Sequence, residues 1–251
     1  MEAYQEKSMA NTLQIDHLRK VYGKREVVKD ISFKMHGGEI IGLLGPNGAG
    51  KTTTFYMIVG FIENNGGTIS VNGMDITGMP MYKRSRMGIS YLPQEPSIFR
   101  KLSVEDNIRL VVETRNDINA ARKEQITKGL LKSFGLTELA KQKGYTLSGG
   151  ERRRTEIARC IATSPKFLLL DEPFAGIDPK AVYEIKQIVR SLARLGIGVL
   201  LTDHNVRDAL SITTCSHIIS EGKILVSGGK EELLANEIAR DIYFGESFED
   251  Q

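Results

Sequence analysis

Gly45-Pro46-Asn47-Gly48-Ala49-Gly50-Lys51-Thr52 reads as a complete GxxxxGK[ST] phosphate-binding loop. It follows a short apolar run, Ile40-Ile41-Gly42-Leu43-Leu44, and opens onto a stretch of helical character. That order has a physical reason. Such a loop works where a strand hands over to a helix: its glycines let backbone N–H groups turn towards a polyphosphate, and the helix N-terminus adds a favourable dipole. Lys51 is placed to reach the β- and γ-phosphates, and the Thr52 hydroxyl to ligate Mg²⁺. The loop residues Gly45 to Thr53 are therefore candidate ATP contacts.

Upstream, Thr12 to Arg19 alternates apolar and polar residues as a half-buried strand does. Further strands are expected at Asp30–Met35, Glu39–Leu44, Thr68–Asn72 and Gly88–Leu92, separated by Gly-, Asn- and Pro-rich turns, with a single helix after the phosphate loop. From about Gln94 the spacing turns helical: Val104–Arg115, Asn119–Phe134, and a third helix from Gly149-Gly150 that ends before Pro165. This segment, 95–164, reads as a helical insertion into an α/β core made of 12–94 and 165–235, followed by a tail, 236–251. Phe167-Leu168-Leu169-Leu170 is a continuous apolar strand, the pattern of a sheet covered on both faces. Helix Pro179–Leu195, strand Ile197–Thr202, helix Val206–Ser211, a hairpin around Gly222 and two short helices complete the pattern.

Asp171 and Glu172 stand at the end of that apolar strand. Asp171 suits holding Mg²⁺ through its water shell, and Glu172 suits polarising an attacking water as general base. Leu147-Ser148-Gly149-Gly150-Glu151 opens the third helix. Taken alone it is an N-cap and turn, or a second anion site at a helix N-terminus.

A phosphate loop, then Gln94, then Leu-Ser-Gly-Gly-Glu, then an apolar strand ending Asp-Glu resembles the ATP-binding cassette (ABC) ATPase family over essentially all of residues 12–235. The resemblance implies a P-loop NTPase core of RecA type with an N-terminal antiparallel β-subdomain and an inserted helical subdomain. It also assigns roles. Tyr22 would stack on adenine, Gln94 would touch Mg²⁺ or the attacking water, and His204 would contact the γ-phosphate. Asp178, in Ala175-Gly176-Ile177-Asp178, would cross between subunits, and Ser148 to Glu151 would serve the ATP of a partner subunit. One copy of each motif then implies a homodimer closing on two ATP molecules. A longer match, from Tyr91 to Val104 with Thr202 to Arg207 and the tail Tyr243 to Phe248, is most similar to the cassettes of lipopolysaccharide export. This implies integral-membrane partners of the LptF/LptG type with an LptC-type protein, received at a groove bearing Phe99 and Arg100. It also implies a place on the cytoplasmic face of the inner membrane. Cassettes of branched-chain amino acid importers, and ABC ATPases that do not transport, are the alternatives.

Composition adds exclusions. The 251 residues carry a net charge of +3, which gives no global reason for nucleic-acid binding. Arg152-Arg153-Arg154 sits within a helix, where successive side chains point about 100° apart and form no flat basic patch. Local phosphate, interface and solvent roles are expected of the three. Cys160 and Cys215 match no metal spacing and read as reduced core residues. Met1–Asn11 is polar, without the apolar centre of a signal peptide, and no apolar run reaches membrane-spanning length.

Overall fold

The computed structural model describes residues 11–240; the tail motif Tyr243 to Phe248 and all of the N-terminal extension but Asn11 lie outside them. Strands β1 (Thr12–Tyr22), β2 (Arg25–His36), β3 (Ile40–Leu44), β4 (Gly66–Val71), β5 (Met74–Asp75), β6 (Ile89–Leu92), β7 (Phe167–Asp171), β8 (Gly198–Thr202), β9 (Cys215–Ser220) and β10 (Lys223–Gly228) form a ten-stranded sheet. Its order is β5-β4-β1-β2-β10-β9-β3-β8-β7-β6. The β1, β2, β4 and β5 pairings are antiparallel, whereas β9, β3, β8, β7 and β6 run parallel. The two halves meet where β10 pairs parallel with β2 at Lys223–Asp30.

Helices are α1 (Lys51–Val59), α2 (Met81–Arg86), α3 (Val104–Glu113), α4 (Ala120–Ser133), α5 (Gly149–Ala162), α6 (Pro179–Arg194), α7 (Val206–Leu210), α8 (Lys230–Ala235) and α9 (Glu237–Ala239). The central strands are apolar throughout because both faces are covered. Leu168 and Leu170 of β7 point to a core shared with Val104, Ile108, Ile157 and Val189. Phe167 and Leu169 point to the opposite core, with Phe55, Ile58 and Ile31. Each such fully buried side chain contributes about 1.5–3 kcal/mol of transfer free energy. The apolar residues of the helical stretch thus belong to the same continuous core as one face of the sheet.

Two local differences from the sequence reading have clear causes. The first two strands run longer than expected, pairing out to Tyr22 and Arg25, because polar residues such as Lys20 and Glu26 face outward on the hairpin. In the first part α1 is joined by a second helix, α2, six residues that are too short to show a period. What holds it is the buried Arg84, which donates to Met57 O, Ile58 O, Thr77 O and Met79 O, tying α2 to the end of α1.

Candidate ATP site

The phosphate loop spans the gap between β3 and α1. Gly45 is there because of close approach: a Cβ on it would lie 2.1 Å from the carbonyl oxygen of Ile219. Lys51 is buried, and its ammonium donates to Gly45 O at 2.7 Å and Pro46 O at 3.0 Å, curling back over its own loop. Burial pulls its pKa below the usual lysine value, and the nearby Glu172, Asp171 and Asp203 carboxylates oppose that shift. Anionic phosphates over the loop would act in the same sense as those carboxylates.

Beside the loop lies an open cleft of about 600 Å³. Tyr22, Asn47, Gly48, Gly50, Lys51, Thr52, Thr53, Gln94, Glu172 and His204 all border it, although they come from six different parts of the fold. Arg25 and Val27, not singled out in the sequence, border it too. Pro46 and Ala49 face an adjoining recess of about 280 Å³. Tyr22 is half-exposed, with the Lys20 ammonium 5.1 Å from its ring centre.

Glu172 is the meeting point. Its backbone sits at φ 45°, a costly conformation for a non-glycine residue. The Glu172 N–H donates to the Thr202 carbonyl at 3.1 Å and hydroxyl at 3.2 Å, which hold that turn against the end of β8. On the side chain, Oε2 accepts from Gln94 Nε2 at 2.8 Å and lies 3.3 Å from His204 Nδ1. Asp203, next to this histidine, is buried, and burial raises its carboxyl pKa. It accepts from Phe174 N–H and Asn205 N–H, joining the turn after β7 to the turn after β8.

Asp171, at 3% exposure, lies behind the cleft wall. Among the described residues no group of three or more His, Cys, Asp or Glu could hold a metal ion. A Thr52 hydroxyl, the Gln94 amide and one Asp171 carboxylate are hard oxygen donors, which suit Mg²⁺: that ion keeps several waters and takes few protein oxygens.

Ser148 to Glu151 does not border the cleft. Ser148 and Glu151 form a reciprocal capping box at the start of α5. A Cβ on Gly150 would lie 2.5 Å from Cβ of Ala181, so glycine there lets α5 approach α6 closely. Asp178 caps α6, accepting from Ala181 N–H at 3.0 Å.

The arginine run has a function that sequence reasoning missed. Arg153 is buried and donates to the carbonyls of Pro93, Asp171, Glu172 and Pro173. Glu156, 3.5 Å from it and also buried, accepts from Ser97 N–H and Ile98 N–H. Together they bind the loop around Gln94 to the turn that carries Glu172. The available signal was spacing: Gly150, Arg153 and Ile157 share one helical stripe, where a charge must be buried and partnered. Arg154 instead pairs with Glu184.

Phe99 is 45% exposed, and the Arg159 guanidinium covers one face of its ring at 4.6 Å. Its backbone N–H and carbonyl are both held by the buried Asn107 amide. Arg100 is exposed beside it, and Tyr145, a large exposed aromatic, donates its N–H to Arg100 O. The cation against Phe99 is thus Arg159, while Arg100 faces solvent.

A phosphate loop facing Gln94, Glu172 and His204 across one cleft defines an ABC-type ATPase site, and the ABC transporter family model matches residues 28–175. The chain belongs to the ABC transporter family as an ATP-binding ATPase, a P-loop NTPase core with an antiparallel β-subdomain and an inserted helical region. It is 49% identical over 237 residues to the lipopolysaccharide export system ATP-binding protein LptB of Escherichia coli K12, covering 94% of this chain and 98% of that one. It is also 53% identical over 231 residues to a probable ABC transporter ATP-binding protein of Azorhizobium caulinodans, covering 92% and 82%. Among solved structures, the ADP conformation of MJ1267, an ATP-binding cassette of an ABC transporter, superposes with TM-score 0.83 at 26% identity, covering 94% of this chain and 99% of that one.

Proposed function

We propose that this chain is the ATP-hydrolysing subunit that powers extraction of lipopolysaccharide from the inner membrane and its export to the outer membrane. The observation that carries the reading is the 49% identity, across nearly the whole of both chains, to proteins of that name. The local geometry agrees with hydrolysis. Glu172 orients water for in-line attack on the γ-phosphate, with Gln94 and His204 on the same carboxylate oxygen. Lys51 and the loop N–H groups neutralise phosphate charge. Thr52, Gln94 and Asp171 would hold Mg²⁺, whose chemistry is charge neutralisation on the β- and γ-phosphates.

The unit is a homodimer. Ser148 to Glu151 lies outside the cleft of its own chain, so it is free to face the cleft of a second copy, with Asp178 crossing between them. Closure on two ATP molecules moves membrane partners of the LptF/LptG type, with an LptC-type protein, docked at Phe99 and Arg100. No helix among the described residues is long and apolar enough to cross a membrane, which agrees with spans supplied by those partners. The chain then sits peripherally on the cytoplasmic face of the inner membrane. Affinity purification from detergent-solubilised membranes tests this. Recovery of lipopolysaccharide-export permeases is the expected result; recovery of an amino acid permease with a solute-binding protein, or of no integral protein, would overturn it.

A further inference from the structure

Asp171 ends β7 with a carboxylate gripped from both neighbouring strands. On one side, Thr202 at the end of β8 is its register partner, and the Thr202 hydroxyl donates to Oδ1 at 2.6 Å. On the other side stands β6, where Tyr91 is paired with Leu169 two residues earlier in β7, and the Tyr91 hydroxyl donates to Oδ2 at 3.3 Å. We infer that Tyr91 is a positioning residue for the metal–nucleotide: its hydroxyl, opposite that of Thr202, fixes the plane of the Asp171 carboxylate behind the cleft wall.

Several features argue that the hydroxyl serves this end. A carboxylate with one donor per oxygen cannot rotate freely about its last bond, yet each oxygen keeps a lone pair for the waters of a bound ion. The ring packs edge-on against Phe55, Tyr56 and Phe61, with centroids 5.6–6.4 Å apart. Phenylalanine would fill that place equally well, so packing does not call for the oxygen. Tyr91 also lies three residues before Gln94, on the strand that delivers that side chain to the cleft.

The inference rests on Asp171 as the Mg²⁺-holding carboxylate, and the test separates the two. Mn²⁺ serves as the probe: its binding to the full-length protein with a non-hydrolysable ATP analogue is read by electron paramagnetic resonance, and analogue affinity is measured in parallel in EDTA. Tyr91→Phe, which removes one oxygen and keeps the ring, is expected to weaken Mn²⁺ binding about 3–10-fold. Metal-free nucleotide affinity and the melting temperature should stay close to those of the parent. Unchanged Mn²⁺ affinity would overturn the inference, and so would an equal loss of metal-free nucleotide affinity, which marks a merely structural hydroxyl. Asp171→Asn is the control. If it too leaves Mn²⁺ binding unchanged, the reading of Asp171 itself fails; if only Tyr91→Phe is silent, the failure belongs to Tyr91 alone.

Discussion

Gln94 Nε2 donates to Glu172 Oε2 at 2.8 Å, joining the loop that leaves β6 to the turn that ends β7. That turn is held on its other side by Thr202, and its carbonyls accept from Arg153. The turn that carries Glu172 is therefore held by groups from three separate parts of the fold, and the loop leading to the exposed Phe99 is fixed to it.

Glu172→Gln keeps an oxygen that can accept from Gln94, so the fold of the turn should survive while the base is lost. ATP binding is expected to remain and turnover to fall by about 100-fold or more. Phosphate release under saturating ATP, beside nucleotide binding by calorimetry, checks this; full ATPase activity would refute the assignment of Glu172 as base.

Arg153→Ala strands the buried Glu156 carboxylate and removes donors from the Pro93, Asp171, Glu172 and Pro173 carbonyls. The expected loss of stability is about 3–5 kcal/mol, the range seen when one partner of a buried ion pair is removed. Lysine should rescue little, because it lacks the guanidinium fork. Urea unfolding of the three proteins measures it.

Gly150→Ala would put a methyl group 2.5 Å from Ala181, and both residues lie on helices. Forcing α5 away from α6 should cost about 1–3 kcal/mol. If Gly150 also faces a second copy, nucleotide-dependent dimerisation falls as well. Thermal melting and size-exclusion chromatography with ATP read the two effects separately.

Arg100→Ala removes an exposed cation. Soluble ATPase activity should stay near the parent value while co-purification with the membrane partners declines. Unchanged co-purification would remove Arg100 from the groove.

His217 predicts a pH response. Burial lowers its pKa from 6.5 to about 4, while its Nδ1 is engaged by Ser227 and its ring packs against Phe33. The unfolded chain takes up the proton near pH 6.5 and the native one only near pH 4, so stability falls as pH drops through that window. The loss approaches about 3 kcal/mol at the acid end. His217→Phe should flatten that part of the unfolding free energy measured between pH 4.5 and pH 7.

Much of the site was legible because its chemistry is written in contiguous residues. Gly45 to Thr52, Ser148 to Glu151, and Asp171-Glu172 each read as a unit, and the period change near Gln94 marked where the helices begin. Arg25 and Val27 at the cleft escaped notice because nothing local distinguishes a strand residue that faces a ligand. Arg153 and Glu156 were hidden in a charged run, since a buried charge betrays itself only when the helix stripe is counted. Short α2 was missed because its stability comes from Arg84 reaching four distant carbonyls, a tertiary cause with no local pattern.

The hairpin between β9 and β10 carries one further consequence. Gly222 O accepts from Lys29 N–H at 2.8 Å and Asp30 N–H at 3.2 Å, and Gly222 N–H donates to Ala49 O at 3.0 Å. Residues near position 30 and the nucleotide loop thus share a brace from a turn about 170 residues or more further along the chain. A growing polypeptide would display every nucleotide motif before that brace exists. Closing so long a loop is slow and entropically costly, so the competent pocket belongs to the last stage of folding. Nucleotide binding by a nascent chain should therefore report completion of the fold.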